Sequence, residues 1–282
     1  MGTVKPHETK ILEAFWHLYY LTAQQVTDLL YSPKSFETVS KTLLRLADPE
    51  DKYLLRARPF DDALQNVPFI YYLATKGRNH LITNGYDFTG WRYPSDMKDF
   101  IKSSHLPHCL GVNDFLILAH QFVKQHPEIK LIKFLHDFTI NKILQTLVRP
   151  DGLLHFLLSP DTEAPNGYEA SIWLEYDRKS EKEQAWRDKM KRIVELMYYG
   201  FDQAFSSPLD TFTFAVVTPF GEHRLGELLL WTERQLTEMN QKQLGGKFLF
   251  YALPENSDAK EVFLDMVWNM PFTTEKYRLL EI

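Results

Sequence analysis

Three residues in the second half of the chain have the types and spacing to hold a cation beside a phosphate: Asp151, Glu175 and Asp177. Asp151 follows Pro150 and precedes Gly152, at the head of the apolar run LLHFLL, which reads as a strand. Glu175 and Asp177 close the segment YEASIWLEYD (168–177). Its alternation puts Ala170, Ile172, Leu174 and Tyr176 on one face and Ser171, Trp173, Glu175 and Asp177 on the other. Asp151 and Glu175, at the ends of two neighbouring strands, suit one hard divalent cation such as Mg²⁺, and Asp177 shares the face of Glu175. Such an ion holds a phosphodiester and activates water. Carboxylates that close repel one another unless a cation or a proton compensates. The plainer reading is that Asp-Gly is an ordinary turn dipeptide and that strand ends often carry acids.

A second set lies near the start of the chain. In FETVSKTLLRLA (36–47), Phe36, Val39, Leu43 and Leu46 form an inner helical face. The outer face shows Thr38, Lys41, Thr42 and Arg45, with Lys34 just before it. Arg56 and Arg58 fall on one face of the extended run YLLRAR (53–58). Basic and hydrogen-bonding side chains gathered on one exposed helix and one strand are what contact with base edges and phosphates requires. The competing readings are a solvated helix face and pairing of the two arginines with Asp61 and Asp62. Other combinations are weaker. His105, His108 and Cys109 have no second cluster at metal-ligand spacing, and Tyr198-Tyr199 reads as the core end of a helix. There is no Walker-type loop and no HxH metal motif.

The elements that position these residues can be read from period and caps. Residues 8–20 carry Ile11, Leu12, Phe15, Leu18 and Tyr19 at helical spacing, and Thr22 reads as the N-cap of AQQVTDLLY. Ser35 reads as a cap for the third helix, which Pro49 ends. Extended runs at 53–58 and 69–74 follow, then a helix capped by Thr75 and stopped at Asn84-Gly85. Three helices, a two-stranded wing and a fourth helix spell a winged helix-turn-helix over residues 1–88. The stretch Gly85–Pro107 has scattered Gly, Pro and Ser and no period, and it marks the domain boundary. Residues 105–282 then read as a mixed α/β domain. It has a helix at 110–125, strands near 129–135, 153–158 and 168–177, and a helix at 181–199. A strand at 211–218, a helix at 225–240, a strand at 247–253 and a closing helix at 259–269 complete it.

Composition narrows the classes. The chain of 282 residues is 44% hydrophobic and 14% aromatic, which suffices for a real core and excludes a disordered chain. No run approaches the roughly 18 apolar residues of a membrane span, and the opening MGTVKPHETK lacks an apolar signal core. The single cysteine, Cys109, excludes a disulfide framework and a multi-cysteine zinc site, so a reducing cytoplasm is the expected location. The net charge of −5 excludes a strongly basic binder but not a locally basic module. Residues 1–95 hold 11 Lys and Arg against 10 Asp and Glu, and the remainder 21 against 27. The first part is therefore the less repulsive toward a phosphate backbone.

The stretches YYLATKGRNHL, HCLGVNDFLI, VRPDG and LEYDRKSE, followed by Lys189 and Tyr198, occur in an order and spacing that resemble the replication-relaxation family of plasmids and integrative elements. The resemblance spans most of residues 8–200. It implies a winged helix joined to an α/β domain and a role in plasmid replication, relaxation or transfer. Double-stranded DNA is the implied partner, with a homodimer and replication or transfer proteins as further partners. The second domain also resembles the restriction-endonuclease-like fold, whose pattern is Pro-Asp, a gap, then an acid, one residue and a lysine. Pro150-Asp151 and Glu175 match. Asp177 stands where the lysine belongs, with Lys179 and Lys189 as the candidates to replace it. The resemblance implies a Mg²⁺-dependent endonuclease that cleaves weakly, with Asp151, Glu175, Asp177 and Lys189 as catalytic residues and Asp151 and Glu175 as metal ligands. The rival expectation is a regulator without catalysis, whose second domain dimerises or docks a partner. A structural adaptor that makes no DNA contact is the third.

Overall fold

The structure, a computed structural model, describes residues 4–58, 68–89, 91, 105–137, 140, 148–158, 168–199, 212–254 and 257–280. The fold is mixed α/β. The chain divides into two compact units, Met1–Ile117 and Leu118–Ile282.

The first unit opens with helix α1 (Pro6–Leu18), whose Ile11, Leu12, Phe15 and Leu18 are buried as their spacing requires. Strand β1 (Leu21–Thr22) leads directly into α2 (Ala23–Leu30). Thr22 caps α2: its Oγ1 accepts from the Gln25 amide at 3.1 Å, and the Gln25 side chain accepts from the Thr22 amide at 3.0 Å. A short 3-10 turn (Pro33–Ser35) precedes α3 (Phe36–Leu46). Strands β2 (Leu54–Ala57) and β3 (Ile70–Leu73) pair antiparallel, and β1 adds to β3, giving the order β1-β3-β2. Helix α4 (Thr75–Thr83) ends at Asn84, with Gly85 at φ +90 beyond it.

The expected elements of this unit appear in order, with three local differences. Ser35 makes no side-chain cap to α3, because its hydroxyl lies beside that of Ser32 at 3.5 Å. Ala74, not Thr75, is the N-cap of α4. Phe36, assigned to the inner face of α3, is 42% exposed, since it opens the helix ahead of the turn where Val39 first meets the core.

Helix α5 (His105–Gln125) begins five residues before the expected start. The division between units falls within it, beyond the Gly85–Pro107 stretch. Its first half is tied to the first unit by Asn113, whose fully buried amide donates to the carbonyls of Leu18 and Tyr20 at 3.1 and 2.7 Å. These carbonyls flank Tyr19, which sits at φ +63 as it closes α1.

The second unit is built on a seven-stranded sheet. Its strands are β4 (Ile129–His136), β5 (Gly152–Leu158), β6 (Tyr168–Tyr176), β7 (Thr213–Thr218), β8 (Phe248–Ala252), β9 (Trp268–Asn269) and β10 (Lys276–Tyr277). They lie in the order β10-β9-β8-β7-β6-β5-β4. The β4-β5-β6 part is antiparallel, β6-β7-β8 is parallel, and β9 returns antiparallel. Helices α6 (Glu183–Tyr199) and α7 (Gly221–Glu238) pack with Leu153, Trp173, Trp186, Met190, Ile193, Phe214 and Leu228 into one core. On the other sheet face, Phe122 of α5 stacks on Phe263 of α8 (Ala259–Leu264) at 4.9 Å, and Phe156 packs against both. A sheet covered on both faces explains why all of β5 but Leu157, and Ser171 to Glu175 of β6, are buried. The expected closing helix at 259–269 stops at Leu264, and Trp268-Asn269 become a strand. Trp268 is fully buried, and its indole donates to the Val262 carbonyl at 2.7 Å.

Candidate functional site

Residues directly opposite in an antiparallel pair point to the same face. Gly152 pairs with Leu174 in the β5–β6 ladder, so the next step of that register sets Asp151 opposite Glu175. Asp151 is fixed on both sides: its amide donates to the Leu174 carbonyl at 3.0 Å, and its carboxylate accepts from the Tyr176 amide at 2.8 Å. Glu175 is buried (7% exposed). Lys189 projects from the second turn of α6 and donates to Glu175 at 2.5 Å and to Glu181 at 2.5 Å. Its ammonium also lies 5.6 Å from the Trp186 ring, which is anchored by its indole hydrogen bond to Thr232 at 3.0 Å.

Two carboxylates therefore contact one ammonium, and the charge of a third, Asp151, acts on it. Burial and the neighbouring charges act on both titrations. Burial first, and then the nearby Asp151 and Glu181 charges, push Glu175 up to about 8 against the pull of Lys189. Lys189 is moved in the same sense: burial disfavours its charge, but the combined attraction of Glu175, Glu181 and Asp151 outweighs that and raises it. Glu175 is held toward its protonated form chiefly by burial, and Lys189 toward its own by the carboxylates around it.

Asp177 is not part of this cluster. Its carboxylate accepts from Arg224 of α7 through Nε at 2.9 Å and Nη2 at 2.8 Å, and from the Thr218 hydroxyl at 3.2 Å. Arg224 is 3% exposed and also donates to the Glu181 carbonyl at 3.1 Å. The three-acid pocket expected of Asp151, Glu175 and Asp177 is thus replaced. Asp177 follows the last residue of β6, where the strand face no longer governs its direction, and a buried guanidinium claims it. Among the described residues, no group of three or more His, Cys, Asp or Glu is placed to hold a metal ion, the His105, His108 and Cys109 trio included. Of the two lysines that stand in for the missing one, Lys189 reaches the cluster. Lys179 lies in the exposed turn beyond the strand at φ +58. Tyr198, half exposed, donates to Gln241 at 2.7 Å; the side chain of Tyr199 lies outside the described residues.

Glu181 and Arg224 escaped the sequence reading. Glu181 sits in a polar turn with no period to flag it. Arg224 did carry a signal, since Arg224, Leu228, Thr232 and Gln235 share one buried helical face. A cation on such a face requires a carboxylate partner.

In the first unit, Lys34, Thr38 and Lys41 are exposed, and Thr42 is half-buried with its hydroxyl turned to the Thr38 carbonyl at 2.9 Å. Arg45 is engaged inside the unit: it pairs with the buried Glu8 of α1 and, at 2.8 Å, with Asp51. On the hairpin, both Arg56 and Arg58 lie over the Phe69 ring, at 4.9 and 4.6 Å. Asp61 and Asp62, their suggested partners, lie outside the described residues.

The family comparison matches residues 13–206 to the replication-relaxation model, and the chain belongs to that family. The matched span includes both α3 and the Glu175–Lys189 cluster. Comparison with curated proteins and with solved structures returned no match. Among the described residues, no helix is long and apolar enough to cross a membrane.

Proposed function

We propose that this replication-relaxation protein binds duplex DNA of a mobile element through its first unit, read as a winged helix, and acts on the phosphodiester backbone with its second. The observation that carries the first part is the exposure of Thr38 and Lys41 on α3 and of Lys34 in the turn before it, with the Arg56 and Arg58 guanidiniums both held over Phe69. Stacking on one ring limits the freedom that two arginines would otherwise lose on meeting phosphates. Arg45, committed to Glu8 and Asp51, is left out of the contact set. Replacing Lys34, Lys41, Arg56 and Arg58 together by alanine tests this. Duplex affinity in a mobility-shift assay should fall, and the slope of log affinity against log salt should flatten by up to about 3 to 4. Unchanged binding rejects the first unit as the DNA reader.

The second part rests on Lys189. The nuclease-like pattern lacks its lysine in sequence, and an ammonium from α6 is 2.5 Å from the acid of that pattern. Asp151 and Glu175 offer hard oxygen donors, and the surplus of carboxylate over ammonium fits a Mg²⁺-type ion, which takes one or two carboxylates and fills its remaining positions with water and phosphate. When bound, such an ion supplies Lewis acidity and a more acidic water. Lys189 adds fixed positive charge where a phosphoryl transition state gathers negative charge. Glu181 and Glu175 orient its ammonium, and Asp151 is held by the Tyr176 amide. Mn²⁺ calorimetry should show binding that Asp151→Asn removes.

A further inference from the structure

The turn DRKSEK, from Asp177 to Lys182, carries Arg178, Lys179 and Lys182 within five positions. Lys179 and Lys182 are exposed and Arg178 is half-buried. Among the described residues, no ion pair engages any of the three. Neighbouring cations of the same unit are consumed: Arg187 by Glu238, Arg234 by Glu183, Arg224 by Asp177, and Lys189 by Glu175 and Glu181. The second part of the chain is acidic as a whole, so a run of unpaired cations there is a local feature set against its background.

The turn is also built rather than loose. One buried guanidinium, Arg224, grips both ends through the Asp177 carboxylate and the Glu181 carbonyl. Between these anchors Lys179 is held at φ +58, a left-handed conformation that costs a residue with a Cβ. The acid that ends the turn, Glu181, holds the Lys189 ammonium. Three free cations therefore stand on a fixed turn that adjoins the carboxylate–lysine cluster. A polyanion approaching buried carboxylates meets repulsion unless local cations offset it.

We propose that Arg178, Lys179 and Lys182 form a second DNA-backbone contact, separate from α3 and the hairpin, that seats phosphates of a duplex beside the Glu175–Lys189 cluster. It rests on the reading that the chain binds DNA. The test is fluorescence anisotropy of a labelled duplex with the full chain, titrated between about 50 and 200 mM salt. The variants are Arg178→Gln/Lys179→Gln/Lys182→Gln and an equal charge change elsewhere in the unit, Lys130→Gln/Lys242→Gln/Lys260→Gln. Each lost phosphate contact removes about 0.9 from the salt slope, so the turn variant should lower it by about 2 to 3 and the control by less than about 1. Lys179→Gly removes one cation while suiting the left-handed backbone, and should lower the slope by about 1 in a fully folded chain. A turn variant and a Lys179→Gly variant that both match the control overturn this proposal alone. A wild-type chain that binds no duplex overturns it together with the DNA-binding reading.

Discussion

Replacing Asp177 by asparagine separates a structural carboxylate from a metal-binding one. Asp177 and Arg224 have side chains only 2% and 3% exposed, joined by two hydrogen bonds at 2.8 and 2.9 Å. Removing one charge from a buried pair costs about 3–5 kcal/mol, because the other charge is left without its partner. Arg224 keeps Glu227 at 3.0 Å and the Glu181 carbonyl at 3.1 Å, so the loss belongs at the lower end, about 3 kcal/mol. For a unit of this size that is a fall of about 6–12 °C in melting temperature. The assay is thermal and urea unfolding followed by tryptophan fluorescence, since Trp173, Trp186 and Trp268 are fully buried in this unit. A double variant, Asp177→Asn with Arg224→Met, should recover part of the loss. A stable Asp177→Asn protein that has lost Mn²⁺ binding would refute the argument and return Asp177 to the metal site.

Two further outcomes follow from the packing. Glu175 has its folded pKa raised from 4.5 to about 8, so its contribution to stability is complete below about pH 4.5 and is lost as pH rises through about 8. The second unit should therefore lose melting temperature over that window relative to Glu175→Gln, and parallel pH profiles for the two proteins would contradict the shift. Gly77 lies inside α4, where an alanine normally stabilises by about 1 kcal/mol. Here its Cβ would fall 2.2 Å from the Tyr53 carbonyl oxygen, so Gly77→Ala should instead destabilise the first unit by about 1–3 kcal/mol in urea unfolding.

Local signals in the sequence located most elements. The 3.6-residue period of α1 to α3, the Thr22–Gln25 capping box and the alternation of β6 each act within a few residues, and each is found where the pattern puts it. Strand pairing also fixed Asp151 beside Glu175, because antiparallel neighbours share a face. What the sequence did not reveal depends on distant partners. Asp177 and Arg224 are 47 residues apart, and only the packing of α7 on the sheet brings them together. Lys189 was one of two candidates until the path of α6 chose it. Arg45 looked available on its own helix, yet Glu8 of α1 claims it. The last helix ends before Trp268, whose apolar bulk suits a buried strand as well as a helix.

The claim that α3 is the DNA-facing element is tested most directly by photo-crosslinking. A benzophenone amino acid at Thr38, on the exposed side of α3, is compared with the same group at Lys10, exposed on α1. With a labelled duplex and the full chain, the account predicts a covalent DNA adduct from position 38 and none from position 10. Adducts from position 10 without any from position 38 would contradict it.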